Sequence, residues 1–237
     1  MPSNLQLIGF GDHGWGPALL KGLVTTLQIS IGAFVLGLAV GLLVAALKLH
    51  GPRPVAHLMR LYTTVFRAVP ELLLILLLFY VGSMALNALL ASIGYSRVEF
   101  SGMLVAILVL GLVQGAYASE ILRAAILAIP PGQVEAARAF GLHGTRLFRR
   151  VTLPMMAPHA LAGLCNLWVN LIKDSALISV VGTNELLYSA RQGAGSTRQY
   201  LLFYLTAAAL YYLVTLLSNH LSGRLERRIR RWMPTAE

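Results

Sequence analysis

Residues 135–141 read EAARAFG, and a second short stretch, VTLP, begins ten residues later at position 151. The first stretch is charged and helix-prone, and it lies between long apolar runs. Pro131 suits the first turn of a helix, and Gly141 suits the left-handed residue that often follows the last turn. This pattern predicts a short helix that lies flat and offers a face of small residues to a partner.

The rest of the chain is unusually apolar. Of its 237 residues, 57% are hydrophobic and 12% are charged, whereas ordinary soluble domains carry about 25% charged residues. Five stretches contain no Asp, Glu, Lys or Arg, and each approaches or exceeds the ~18–20 residues that a helix needs to cross a bilayer: 22–47, 72–96, 100–119, 151–172 and 199–223. We therefore predict an all-α polytopic membrane protein. Its single transmembrane domain spans residues 1–237 and leaves no room for a nucleotide-binding domain.

Breaker residues and turns set the expected helix bounds. Pro70 should kink the second helix, because proline lacks a backbone donor. Gly37 and Gly41 form a small-xxx-small pattern that lets another helix approach closely. No basic segment or cleavage site precedes the first helix, so we expect that helix to be retained. A further segment, 131–150, is predicted outside the bilayer, and the five transmembrane helices are predicted at about 19–47, 55–91, 103–128, 153–175 and 200–222.

The net charge of +10 has an uneven distribution along the chain. If the C-terminus is cytoplasmic, thirteen Lys or Arg residues outside the spans lie on the cytoplasmic side, and four lie opposite: Lys21, Arg97, Arg191 and Arg198. Such a bias is typical of membrane proteins and places 131–150 in the cytoplasm. The basic tail from Arg224 to Arg231 is expected to meet anionic lipid headgroups rather than nucleic acid.

The spacing of the opening motif resembles the EAA loop of ABC importer permeases. Three residues separate Ala137 from Gly141, nine more precede the aliphatic Val151, and Leu-Pro follows at 153–154; the family most often has Ile at the aliphatic position. The resemblance implies the ABC type I importer permease fold, with a cytoplasmic coupling helix that docks into a groove on an ATPase subunit. The residues carried over for ATPase coupling are Glu135, Ala136, Ala137 and Gly141. The alternative is an ordinary amphipathic loop.

A second resemblance concerns FRAVPEL at 66–72. It is similar to the Arg-Gly-Thr-Pro segment of polar amino-acid permeases, with Ala68 and Val69 in place of Gly-Thr. Permeases similar to the histidine/lysine/arginine/ornithine importer tend to carry an acid at the position of Glu71, which implies basic amino acids or opines as substrates. Arg67 and Glu71 are four residues apart and are expected to share a helix face. The two residues either line the substrate path or form a pair near the cytoplasmic interface.

Two further stretches resemble the same permeases. GAYASEILR at 115–123 implies that Glu120 lines a central cavity, although Arg123 offers a purely structural pair. KDSAL at 173–177 implies that Asp174 faces the cavity. Thr26 lies in the first turns of a span, where its hydroxyl bonds to its own helix or faces the transport path. The predicted substrate-path residues are Arg67, Glu71, Glu120, Asp174 and Thr26.

Several chemical motifs are missing from the sequence. It has no Gly-x4-Gly-Lys-Ser/Thr stretch, so we expect ATP and Mg²⁺ to bind a partner ATPase rather than this chain. Cys165 is the only cysteine, which excludes an intrachain disulfide, and no metal-binding pattern is present. No nucleophile with an adjacent base is evident. We therefore predict a transport subunit that is not an enzyme and holds neither a cofactor nor a metal.

Taken together, the resemblances imply a permease subunit of an ATP-driven importer of polar amino acids, with basic amino acids or opines as the expected substrates, in the bacterial inner membrane. The implied partners are an ATPase dimer, a second permease (identical or a paralogue) and a periplasmic amino-acid-binding protein. The N-terminus would be periplasmic and the C-terminus cytoplasmic. The alternatives are a proton-coupled secondary amino-acid transporter, in which Glu120 and Asp174 carry protons, and a scaffolding membrane subunit.

Overall fold

The computed structural model describes residues 4–11, 14–96 and 101–230, and all regular elements in these ranges are helical. Arg97 and Arg231, which enter the charge distribution above, lie outside these ranges. In chain order the α-helices are α1 (Asn4–Ile8), α2 (Gly16–His50), α3 (Arg53–Ala68), α4 (Glu71–Leu77), α5 (Ser83–Ser92), α6 (Gly102–Leu127), α7 (Pro131–Ala139), α8 (Gly144–Leu147), α9 (Leu153–Asp174), α10 (Leu186–Thr197) and α11 (Tyr200–Arg230).

Short turns of other helix types join some of these elements. A π-helical turn, Leu78–Gly82, joins α4 to α5, and a second, Phe148–Thr152, joins α8 to α9. A 3-10 helix, Ser175–Val181, continues α9. Within the described ranges, five helical stretches are long and apolar enough to cross a membrane: Gly16–His50, Glu71–Ser92, Gly102–Leu127, Gly144–Val181 and Tyr200–Ile229. The predicted all-α fold with five membrane helices is confirmed.

The second predicted helix, 55–91, is divided in the structure. The α3 helix ends at Ala68, Val69 adopts an extended backbone (φ −85°, ψ 139°), and Pro70 precedes the first residue of α4. The residue before a proline is forced out of the α region, so the helix stops instead of bending. The membrane-spanning part therefore starts at Glu71, and α3 is a separate helix.

The α3 helix is held against α6 by a half-buried tyrosine. The Tyr62 hydroxyl donates a hydrogen bond to the carbonyl oxygen of Leu112. Burial raises the pKa of this hydroxyl from 10.0 to about 12, so it remains a donor at physiological pH. This contact joins the middle of α3 to the middle of α6.

The last helix is longer than predicted. It runs from Tyr200 to Arg230, 31 residues, or about 46 Å at 1.5 Å per residue, whereas the expected helix stops near residue 222. The residues after Gly223 are mostly Arg, Leu, Glu and Ile. Arg, Leu and Glu are good helix formers and no proline intervenes, so the helix continues beyond the apolar stretch.

The α2 and α6 helices pack closely through small residues. A Cβ added at Gly41 would lie 2.7 Å from the Ala118 Cβ, and one added at Gly115 would lie 2.7 Å from a Val40 methyl carbon. Each helix therefore places a side chain opposite a glycine of the other. The close approach predicted from Gly37 and Gly41 is confirmed, and this pair is the rigid base on which the other helices rest.

We predict that Gly41→Ala destabilises the protein by about 1–3 kcal/mol, because the added methyl group must displace α6. The free energy of unfolding, measured on purified protein in detergent, checks this. Gly82→Ala is the control, since it also replaces a helical glycine but no atom lies within 4 Å of the Cβ it adds. Equal stability of the two variants would contradict the close packing.

Among the described residues, three buried clusters form the interior. One joins α2, α4, α6 and α9 and includes Ile29, Ile75 and Leu171. A second, which we call the lower cluster, joins the ends of α2 and α6 to the start of α9, where Met156 is buried. A third joins α2, α10 and α11. Large apolar side chains also lie exposed along the outer faces, including Val35, which is 62% exposed. Such a surface suits contact with lipid or other subunits.

Candidate functional site

The α7 helix has the ends that the opening motif predicts. Pro131 occupies the first turn, and Gly141 has φ +81°, the left-handed conformation that glycine tolerates best. The Gly141 N–H donates to the Arg138 carbonyl at 2.9 Å, and the Leu142 N–H donates to the Ala137 carbonyl at 3.1 Å. These bonds satisfy carbonyl groups that the helix end would otherwise leave free.

One face of α7 is presented outward. Glu135, Ala136 and Gly141 are exposed, whereas Ala137 is buried. Phe140, three residues after Ala137, is 88% exposed. The chain leaves the helical path at Phe140, the C-cap residue, which turns its ring outward. An aromatic ring this exposed beside small residues is a surface that a partner can cover.

The opposite face of α7 is fixed to the membrane helices. Val134 of α7 and Phe148 of the π-helical turn that precedes α9 pack against the lower cluster, which includes Ala45 of α2, Leu122 of α6 and Met156 of α9. Through Val134, α7 is therefore attached to a cluster that three different membrane helices share. A force applied to α7 would be transmitted to all of them, because packed interiors resist local deformation.

A polar cluster lies where α3, α4, α6 and the end of α9 meet. The Arg67 guanidinium lies over the Tyr117 ring, 5.7 Å from its centroid. Glu71 lies within interaction range of the Tyr117 hydroxyl and of the Asp174 carboxyl. Gln114 donates its amide N–H to Asp174 Oδ2 at 3.2 Å. We call these five residues the path cluster.

The path cluster unites three of the five predicted substrate-path residues. Arg67 and Glu71 do not form the ion pair that their spacing suggested, because the break at Pro70 places them on separate helices. Asp174 is half-buried, while its neighbour Lys173 is exposed on another face. Two carboxylates and one guanidinium thus gather among apolar helices, which gives the path cluster a formal charge of −1 when all three are ionised. A net negative charge placed among apolar helices favours a cationic ligand.

Glu120 lies apart from the path cluster, in a network of its own. Its Oε1 accepts a hydrogen bond from Lys48 Nζ at 2.6 Å, and its Oε2 accepts from Arg123 at 3.0 Å. Lys48 also donates to Thr63, which ties α2 to α3. The structural pair with Arg123 is therefore present. Glu120 also borders a cleft of about 390 Å³ together with Arg60. Its role in the substrate path remains a prediction.

Thr26 lies in a third location, beside Glu185. Its hydroxyl donates to Glu185 Oε2 at 3.2 Å rather than to its own helix, and both residues are fully buried. Glu185 also accepts from the Tyr211 hydroxyl and caps α10 by accepting from the Leu187 and Tyr188 amides. The bonds join α2, α10 and α11, so in this structure Thr26 contributes to packing and not to the path cluster.

Glu185 has an unusual environment for a carboxyl group. Burial raises its pKa above the ordinary value of 4.5, and the hydrogen bonds that it accepts act in the opposite direction. We predict that Glu185→Ala destabilises the fold by about 3 kcal/mol or more, because it removes a helix cap and leaves buried donors without an acceptor.

Thermal unfolding of the purified protein checks this prediction. Glu185→Gln keeps one acceptor oxygen and should lose less stability, and Thr26→Val should lose the least. Unfolding of Glu185→Ala at the wild-type temperature would contradict the role of Glu185. A Thr26→Val protein with normal stability but impaired transport would favour the substrate-path prediction for Thr26.

The comparison with protein families decides what kind of protein carries these sites. Residues 33–231 match the family described as binding-protein-dependent transport system inner membrane component. The chain belongs to this family. The protein is thus an inner-membrane permease that works with a binding protein. It is a transport subunit and not an enzyme, as predicted.

Several similar permeases are known. The octopine transport system permease protein OccQ of Agrobacterium tumefaciens (strain Ach5) is 43% identical over 225 residues, covering 94% of each chain. The histidine/lysine/arginine/ornithine transport system permease protein HisQ of Salmonella typhimurium is 35% identical, covering 91% of this permease and 95% of HisQ. The arginine ABC transporter permease protein ArtQ of Escherichia coli is 33% identical, covering 87% and 92%.

Solved structures share the fold of the permease. A crystal structure of an amino acid ABC transporter with histidines has a TM-score of 0.77 at 29% identity, and the match covers 96% of this permease and 99% of that chain. The inward-facing methionine transporter MetNI has a TM-score of 0.74 at 20% identity, covering 90% and 96%. No finding in these comparisons supports the alternative of a proton-coupled secondary transporter.

Proposed function

We propose that the permease carries basic amino acids, or opines derived from them, from a periplasmic binding protein into the cytoplasm. The observation that carries this proposal is the path cluster, in which Glu71 and Asp174 gather beside Arg67 among apolar helices. The two carboxylates would attract the cationic end of a substrate, and Arg67 its carboxylate. Permeases named for octopine, nopaline, histidine, lysine, ornithine and arginine are among the relatives, which supports the same class.

The assembly that we propose contains two ATPase subunits and a second permease, identical or a paralogue. ATP and Mg²⁺ bind the ATPase subunits, and α7 is the coupling helix that docks on them. With five spans, the two ends of the permease face opposite sides of the membrane. The excess of Lys and Arg on one side supports a cytoplasmic C-terminus and a periplasmic N-terminus.

In the cycle that we propose, closure of the ATPase dimer on ATP draws the two coupling helices together. The lower cluster transmits this movement to α2, α6 and α9. The helices then move as rigid bodies and open the path cluster toward the binding protein, which releases the amino acid. Hydrolysis of ATP returns the inward-facing state.

Uptake by reconstituted vesicles tests this function. The complete complex, with the binding protein and radiolabelled arginine, octopine or glutamate outside, should accumulate the cationic amino acid or the opine only when ATP is supplied on the ATPase side. Glutamate is the control for charge. Uptake driven by a pH gradient without ATP, or preferred uptake of glutamate, would contradict the proposal.

A further inference from the structure

An apolar cavity of about 770 Å³ lies between the second half of α2, the end of α6 and the segment that contains α7 and α8. Carbon-rich side chains form nearly all of its wall, among them Ala39, Leu43 and Ala46 of α2. Two basic side chains, His50 and Arg138, also line it. Neither Asp nor Glu is among the lining residues. The cavity is separate from the sites described above: neither Glu71 and Asp174 of the path cluster nor Phe140 on the outward face of α7 lines it.

The length of the cavity along α2 matches the depth of one leaflet of the membrane. Its wall along α2 runs from Ala39 to His50, about 16 Å at 1.5 Å per residue. One leaflet of hydrocarbon, half of a ~30 Å core, is about equally deep. The basic residue His50 stands at the end of α2, where headgroups lie, while the deep end at Ala39 is apolar. This polarity matches a molecule with a charged head and one acyl chain.

Positive charge continues beside the cavity. Gly144, Leu147 and Phe148 line the cavity. Other residues of the same segment line a separate, shallow cleft of about 390 Å³. The residues lining this cleft are Thr145, Arg146, Arg149 and Arg150. The cleft shares no lining residue with the cavity but lies on the same segment. Its arginines add positive charge at this end of the molecule, and basic pockets at the cytoplasmic side of membrane helices bind anionic lipids.

The cavity is accessible from the bilayer. Leu43, which lines it, is 59% exposed on the outer face of α2. Val35, on the same helix, is 62% exposed and continues this lipid-accessible surface. An acyl chain can therefore reach the cavity sideways from the hydrocarbon without crossing a polar layer.

We infer that this cavity binds one anionic phospholipid of the cytoplasmic leaflet, with its phosphate at His50 and Arg138 and an acyl chain along α2. The bound lipid fills the space between α2 and the inner side of α7, and so supports the coupling helix from the side opposite its docking face. The inference rests on the cytoplasmic orientation in the proposed function. A segment of another subunit is the competing occupant, and the experiment distinguishes it.

Native mass spectrometry of the purified transporter complex tests the inference, with phosphatidylglycerol and phosphatidylcholine offered in equal amounts. Wild type should retain phosphatidylglycerol in preference. Arg138→Gln should weaken its retention about fivefold, since each basic residue near a lipid surface contributes about that factor. Ala46→Phe fills the cavity and should remove the retention of either lipid. If the Ala46→Phe permease does not assemble into the complex, Ala39→Phe, which fills the deep end of the cavity, is used in its place.

Two control variants complete the experiment. Ala209→Phe adds the same ring to an exposed alanine of α11, and Arg191→Gln removes an exposed basic residue of α10 outside the cavity; both should retain phosphatidylglycerol as wild type does. Equal retention by Ala46→Phe and Ala209→Phe would overturn the inference. So would equal retention of the two lipids by wild type, or a crosslink from Leu43→Cys to another subunit.

The same preparations separate this inference from the proposed function. Normal ATP-driven uptake by a complex that retains no lipid would refute the lipid site alone. Labelling of a His50→Cys variant from the periplasmic side would instead refute the orientation on which both depend.

Discussion

Gly141→Asp permease is expected to insert into the membrane normally but to copurify with about tenfold less ATPase than wild type. Gly141 has φ +81° and no neighbouring atom within 4 Å of an added Cβ, so the effect comes from the backbone and not from a clash. A residue with a side chain costs about 1–2 kcal/mol in this conformation, which corresponds to about a factor of ten. Relaxation of this strain would move Phe140 and the end of α7.

Gly132→Asp is the matched control for that experiment. It adds the same charge to the first turn of the same helix, where an added Cβ also meets nothing within 4 Å and where φ is not positive. An acidic residue is favoured at this end of a helix, so we expect nearly normal ATPase recovery. A normal amount of ATPase with Gly141→Asp would contradict the coupling role of this turn. Equal losses from both variants would assign the effect to charge alone.

The second large effect is expected from Asp174→Asn. This change keeps the shape of the side chain and the possibility of a bond to Gln114, but removes a negative charge from the path cluster. Because a hydrogen bond to a charged group contributes about 1.5–3 kcal/mol, the substrate concentration for half-maximal uptake of arginine should rise about 10–100-fold. Initial rates of ATP-driven uptake over a range of substrate concentrations measure it.

Lys173→Gln is the control for Asp174→Asn. Lys173 is the adjacent residue, but it is exposed, so solvent screens its charge from the path cluster. Its replacement should therefore change half-maximal uptake less than about twofold. An Asp174→Asn permease that takes up arginine with wild-type kinetics would remove Asp174 from the substrate path, whatever the stability of the protein.

The five-helix fold was predictable because lipid permits few alternatives. Backbone groups in a bilayer must bond within their own segment, so each charge-free run had to be helical. The break at Pro70 was harder to predict, because a proline either kinks or ends a helix according to its tertiary contacts. A signal was nevertheless present: Arg53, Arg60 and Arg67 precede the charge-free run that starts at residue 72. The span was therefore more consistent with a start after Pro70 than at residue 55.

The candidate sites were only partly predictable. The ends of α7 follow from local backbone preferences of Pro131 and Gly141, so sequence alone predicted them. The partners of Glu120 and Asp174 depend on how helices cross. Lys48 is separated from Glu120 by 72 residues, and Gln114 from Asp174 by 60. Lys48 looked like an ordinary loop charge, whereas Gln114, a polar residue inside an apolar span, was the signal that could have been used.

Glu185 illustrates the same limit. Its place before α10 was consistent with a helix cap, but nothing local indicated that Thr26 and Tyr211, from two distant helices, would donate to the same carboxylate. A motif resemblance identifies candidate residues, but the contacts between helices determine which of these residues meet in one site. Three predicted path residues therefore meet in one cluster, while Glu120 and Thr26 belong to separate networks.

The central claim is that α7 faces the cytoplasm and is covered by the ATPase. A permease with Cys165→Ser and Phe140→Cys has a single thiol on the outward face of α7, and a membrane-impermeant maleimide can report its accessibility. We predict labelling in inverted vesicles but not in right-side-out vesicles, and protection of the thiol when the ATPase is bound. Labelling in right-side-out vesicles, or the same rate with and without the ATPase, would contradict the account.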